Sequence, residues 1–207
     1  EAPVLKKIAR LLKKYQTYLT LHVAETEDTV SACVAKFGLR PIAVMDKFDL
    51  LGPRTIISHA VHLNDGEINR IKETNTKIVH LPTSNLLHRS GQFNYKKFRD
   101  LGAHQLIGLG TDSVVSKNRL DILSEALAAK TLHQSAHVLS YEELFLMATA
   151  QGADILGRPD LGRVAAGCRA NLAFWKLKDR GLMPYDETHP ETLVSNLITH
   201  GSRSVRD

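Results

Sequence analysis

The chain is poor in the residues that would mark several protein classes. Only two cysteines, Cys33 and Cys168, occur in 207 residues, and they lie far apart. A disulfide framework is therefore not expected, and a reducing, cytoplasmic compartment fits best. Aromatic residues make up 6% of the chain and are not interleaved with basic ones. The formal charge of +5 comes from dispersed pairs (Lys6-Lys7, Lys13-Lys14, Lys96-Lys97) and single arginines. That pattern reads as solvated helix faces, not as a nucleic-acid surface. No apolar run approaches the roughly 20 residues of a membrane helix. The opening "EAPVLKKIARLLKKY" has neither the long apolar core nor the small-residue cleavage site of a signal peptide. Repeats and low-complexity segments are absent. What is present, 43% hydrophobic and 24% charged residues, is the composition of a globular protein with a sizeable core.

Hydrophobic periodicity then organises the chain. Residues 3–16 place Leu5, Ile8, Leu11, Leu12 and Tyr15 on one helical face, with lysines opposite. "TYLTLHV" reads as a strand ending near His22, and "TEDTVSACVAKFG" as a helix stopped by Gly38. "TIISHA" (55–60) is a second strand. "NDGEINRIKET" starts a helix with Asn64 or Asp65 as cap. "TKIVHLP" (76–82) is a third strand, "YKKFRDLGA" a helix and "HQLIGLGTDS" (104–113) a fourth strand, with helices near 119–133 and 141–151. The strands are short, mostly continuous apolar runs, so they are expected to be buried on both faces. Strand–helix alternation of this kind predicts an α/β fold with a parallel sheet. Beyond about Leu161 the texture changes. "LGRVAAGCRANLAFWKLK" alternates through Trp175 and reads as a small β segment.

Each strand of this series ends in a group able to bind metal or move protons. His22 closes the first, with Glu25 three residues on. His59 closes the second, followed by His62. "HLPTSN" closes the third, and "GTDS", with Asp112, the fourth. In parallel α/β folds the active site gathers at these carboxyl ends. Imidazole and carboxylate are common ligands of a catalytic divalent metal that keeps an open position for water. The pKa of such a water falls to about 7, which makes it a nucleophile at neutral pH. His22 and Glu25 would point to opposite faces of a continuing strand, so both can serve one site only if the chain turns after His22. Taken singly, a histidine at a strand end reads as a hydrogen-bonded structural residue. Asp112 could equally cap the next helix, and "ETED" suits an acidic helix start. His62, His80, His88, His104, His133, His137, His189 and His200 are expected to be structural or exposed. Cys33 is expected to pack within its helix.

The ordered set "LHVAET", "SHAVHL", "HLPTSN" and "GLGTDSVVSKNRLDIL" resembles the amidohydrolase superfamily. It looks closest to its branch of metal-dependent deaminases (S-adenosylhomocysteine/methylthioadenosine deaminase, guanine deaminase) and chlorohydrolases. "LFLMATAQGADILGRPDLGRVAAGCRANLAFWKL" extends the likeness across nearly the whole chain. The resemblance implies the second half of a (β/α)8 barrel over residues 1–160 and part of a small flanking β domain over 161–207. It implies His22 and Asp112 as metal ligands, with Glu25 as proton shuttle. His59 would polarise the substrate or the attacking water, and Asp112 would also take a proton from the water. It further implies one divalent metal, Zn²⁺ first, with Fe²⁺ or Mn²⁺ compatible. The reaction implied is deamination of a purine, nucleoside or related N-heterocycle by attack of hydroxide on an aromatic C–N carbon. Triazine dechlorination and an inactive scaffold are the alternatives. The partner is a small heterocyclic molecule, not nucleic acid or membrane, and a homodimer is the family-level expectation.

One departure stands out. The superfamily's His-x-His motif after the first strand has no counterpart, because no His-x-His occurs in the chain. Both ends of the chain look cut, at "EAPVLKK" and at "ITHGSRSVRD". The reading is a C-terminal portion that alone binds metal weakly, turns over no substrate and tends to aggregate.

Overall fold

The computed structural model describes residues 1–116, 120–133, 139–178, 182–183, 186, 188–189, 191–201 and 205–206. Helix α1 (Ala2–Tyr15) leads into β1 (Leu19–Val23), followed by α2 (Glu27–Phe37) and α3 (Pro41–Lys47). Strand β2 (Thr55–His59), α4 (Asp65–Thr74) and β3 (Lys77–His80) come next, then α5 (Pro82–Leu87) and α6 (Tyr95–Asp100). A 3₁₀ turn (His104–Leu106) runs into β4 (Ile107–Leu109). Helices α7 (Ile122–Leu132), α8 (Tyr141–Ala148) and α9 (Ala150–Ile155) precede β5 (Phe174–Trp175), α10 (Glu191–His200) and β6 (Val205–Arg206).

The first four strands form one sheet in the order β1-β2-β3-β4, and the β1–β2 and β2–β3 pairs are parallel. The expected alternating α/β architecture with a parallel sheet is therefore present. Local chemistry explains the boundaries. Thr26 and Asn64 each close a capping box at the start of α2 and α4, and Gly38 stops α2 in the left-handed conformation. "HLPTSN" does not prolong the third strand. Pro82 opens a short helix instead, where its missing N–H costs nothing.

The expectation that the strands are buried on both faces holds for β2 and β4, where only Ser58 is half-buried, and is corrected for β1 and β3, which alternate. The register sets Leu21 beside Ile57 and Ile57 beside Ile78, and this face is closed, with Ile57 and Ile78 at 0% exposure. On the other face Thr20 and His22 are exposed, and Ser58 and Val79 are half-buried. β1 alternates because only one of its faces is covered.

By its internal packing the chain divides into two units: Glu1–His80 with Asn85–Gly108, and Leu81–Ser84 with Leu109–Asp207. The first holds most of the sheet with α2, α3, α4 and α6. In the second, α7, α8 and α10 pack on one another, α9 packs on α8, and β5 pairs antiparallel with β6. The small β segment is therefore confined to these two short strands among the described residues. No helix among the described residues is long and apolar enough to cross a membrane.

Candidate metal centre

The first strand ends in a sharp turn. Ala24 adopts φ 51, a left-handed conformation uncommon outside glycine. The chain then enters α2, whose N-cap Thr26 accepts from the Thr29 N–H at 3.2 Å. Glu25 sits between turn and cap and so leaves the face that strand geometry would have given it. The turn that a shared site needs after His22 is thus present. A second bend lies at the end of β2, where His59 has φ 73 and Ala60 φ 53. The register pairs His59 with Val23, so in regular strands His22 and His59 would point to opposite faces. The bend brings them together, with His59 Nε2 3.0 Å from His22 Nδ1 and ring centroids 4.7 Å apart. Glu25 Oε2 lies 3.7 Å from the same His59 nitrogen. His22 is exposed, Glu25 half-buried and His59 buried.

Two residues to which sequence reasoning gave no role complete the arrangement. Buried Asn85 presents Oδ1 to His59 Nδ1 at 2.8 Å. An acceptor there keeps the proton on Nδ1 and leaves the Nε2 lone pair facing His22 and Glu25. Buried Ser90 donates from Oγ to Glu25 Oε1 at 3.0 Å. Asn85 lies 26 residues from His59 and Ser90 lies 65 from Glu25, so no local pattern could have linked them. The only signal was their place just beyond the third strand end.

Asp112, the other expected ligand, lies in the second unit, whereas His22, Glu25 and His59 share the first. Asp112 also sits on a left-handed turn, with φ 58. Its Oδ2 accepts from Ser84 Oγ at 2.5 Å and its Oδ1 from the Ser113 N–H at 2.8 Å. It does not cap the next helix. Asp121 does, accepting from the Leu123 and Ser124 amides.

The remaining histidines take ordinary places. His62 bonds the Ser90 carbonyl, His80 stacks on Phe93, and burial pushes the His133 imidazole below its usual pKa. His88, His189 and His200 are exposed and His104 half-buried. His137 lies outside the described residues. Cys33 and Cys168 are free thiols. Cys33 meets the Leu39 carbonyl at 3.6 Å, and burial followed by the Glu67 charge raises its pKa.

The donor set fits a divalent metal. Each of His22, Glu25 and His59 offers one ligand atom, all within 4.8 Å of one another. Ligands about 2.0–2.1 Å from a tetrahedral ion lie roughly 3.3 Å apart. The two imidazole nitrogens are already near that spacing, and Asn85 orients the buried ring so that its Nε2 faces the group.

The sequence matches the Amidohydrolase family over residues 1–202. It is 33% identical over 184 residues to a 5-methylthioadenosine/S-adenosylhomocysteine deaminase of Pyrococcus abyssi, a span of 87% of this chain and 43% of that protein. It is 35% identical over 179 residues to an 8-oxoguanine deaminase of Pseudomonas aeruginosa, 85% of this chain and 39% of that one. The fold superposes on the crystal structure of an adenosine deaminase from Xanthomonas campestris with bound zinc. The TM-score is 0.86 at 30% identity, over 97% of this chain and 46% of that one. The chain thus spans less than half the length of these relatives. The match along 1–202, together with strand ends that converge two histidines and a glutamate, establishes that this chain belongs to the amidohydrolase family.

Proposed function

We propose that this chain is a C-terminal portion of a metal-dependent aminohydrolase that deaminates a purine, nucleoside or related N-heterocycle. The convergence of His22, Glu25 and His59 at the ends of β1 and β2 is the observation that carries this reading. In it, residues 1–160 are the second half of a (β/α)8 barrel, and residues 161–207 are part of a small flanking β domain. In this reading the enzyme acts in the cytoplasm, and a homodimer is the family-level expectation for the intact protein.

His22 and Asp112 would hold the metal, Zn²⁺ in preference to Fe²⁺ or Mn²⁺, and the Nε2 of His59 offers a further ligand. When bound, such a metal lowers the pKa of water to about 7 and so supplies the nucleophile. The residues do the rest. Glu25 takes a proton from the water and delivers it to the departing nitrogen. Its half-buried carboxylate, with one oxygen toward His59, suits a group that must exchange protons with a small molecule. His59, fixed by Asn85, polarises the substrate or the water, and Asp112 accepts the second proton and returns it, so that the ring nitrogen and the departing amino group each gain one hydrogen. A carbon–oxygen bond forms, the carbon–nitrogen bond breaks and ammonia leaves.

The test is ammonia release from a panel of purines and nucleosides, with chlorotriazines as controls. The protein assayed carries these 207 residues together with the half present in its relatives. Ammonia from a purine or nucleoside is expected, and Glu25→Gln should lower turnover by about 100-fold or more. Chloride from a chlorotriazine, with no ammonia from any purine, would overturn the reading. The 207-residue chain alone should hold metal weakly and release no ammonia.

A further inference from the structure

Ser90 and its surroundings are built more tightly than a surface turn requires. The residue is 2% exposed, although it follows the exposed run Leu86–Arg89. Its N–H donates to the Asn85 carbonyl at 2.9 Å, which ties it to the residue that orients His59. Its carbonyl meets His62 Nε2 at 2.6 Å. Gly91, next in the chain, has φ +117, and a Cβ there would come within 2.9 Å of that imidazole and 3.0 Å of Val61. Only glycine lets the backbone pass so close to His62. The hydroxyl held in this way spends its proton on Glu25 Oε1, while Oε2 faces His59.

We propose that Ser90 is a positioning residue: clamped by His62, it fixes the rotamer of Glu25, so that the segment Asn85–Ser90 sets both groups facing His22. The argument runs through side-chain freedom. A half-buried glutamate at the foot of a turn can swing into solvent, and one hydrogen bond from a buried, immobile donor removes that freedom. In the 207-residue chain Glu25 is one of three donors within 4.8 Å of one another and so can ligate directly; partners that orient a ligand typically change metal affinity by about 10–100-fold when removed. The inference rests on the metal-centre reading above and adds to it the residues that hold the carboxylate in place.

The experiment is titration of the 207-residue chain with Co²⁺, followed by its d–d absorption, with circular dichroism as the check on folding. Ser90→Ala should weaken Co²⁺ binding about tenfold and alter the band shape, and Ser90→Thr, which keeps the hydroxyl, should recover most of the loss. Gly91→Ala, which leaves Ser90 itself untouched but pushes on His62, should act in the same direction. In a Glu25→Ala background Ser90→Ala should have no further effect, because Ser90 acts through Glu25. Wild-type affinity and spectrum in Ser90→Ala would overturn the proposal. So would an undiminished Ser90→Ala effect in the Glu25→Ala background. Failure of the underlying reading shows elsewhere: His22→Ala would then leave Co²⁺ binding unchanged whatever stands at position 90.

Discussion

The two packing units spend their apolar residues differently. In the first, apolar residues of strands and helices are shut away from solvent: Ile57, Ile78, Ile71 and Ile107 are at 0% exposure. In the second, a cavity of about 1020 Å³ opens between the start of α7, the end of α8 and the segment leading into β5. Its lining includes Leu120, Leu146, Val164 and Leu172, all of them exposed, Val164 at 91%. A closed interior supports side chains at its rim with fixed geometry, and the His22–Glu25–His59 group sits on such a rim. An apolar surface left open contributes little to stability and favours association.

That contrast can be broken or sharpened by substitution. Ile57→Ala, in the closed interior, should cost about 2–5 kcal/mol in urea unfolding, whereas truncating an equally apolar residue at the open cavity should not. Asn85→Ala strips a buried imidazole nitrogen of its acceptor and should cost roughly 1–3 kcal/mol. It should also mix the His59 tautomers, visible in long-range ¹H–¹⁵N NMR spectra. Either result, if absent, would mean that the rim is not held as described.

In the second unit, burial holds the His133 imidazole below its usual value, so the unfolded chain binds the proton more tightly. Stability from this group is complete above the unfolded value near 6.5 and falls as pH drops from there toward the folded value. Unfolding followed between pH 7 and 5 should show that slope, and His133→Gln should flatten it. The smallest effect is expected at Val164. Val164→Ser should leave unfolding within about 0.5 kcal/mol of wild type while lowering the binding of an apolar dye. A large loss of stability there would show that the open surface is in fact supporting the unit.

The same contrast governs what could be read from the residues alone. Periodicity located β1, β2, β3, α2 and α4 closely, because their apolar spacing, capping residues and Gly38 all agree. The fourth strand reads as ten residues in the sequence but spans Ile107–Leu109, since the mostly polar flanking residues fold into a 3₁₀ turn and a loop. Gathering polar strand ends singled out His22, Glu25, His59 and Asp112. Asn85 and Ser90 stayed hidden, because their roles depend on contacts across 26 and 65 residues that only the folded chain creates. The close approach of His59 to His22 was hidden for another reason: strand alternation predicts opposite faces, and a left-handed residue at the strand end overrides it.

The central claim is that the ends of β1 and β2 form one metal-binding group. Co²⁺ titration of the wild-type chain beside His22→Ala and His59→Ala tests it most directly. The account predicts a single weak site with d–d absorption in the wild type, lost in both variants while the fold is retained. Unchanged Co²⁺ binding in either folded variant would contradict it.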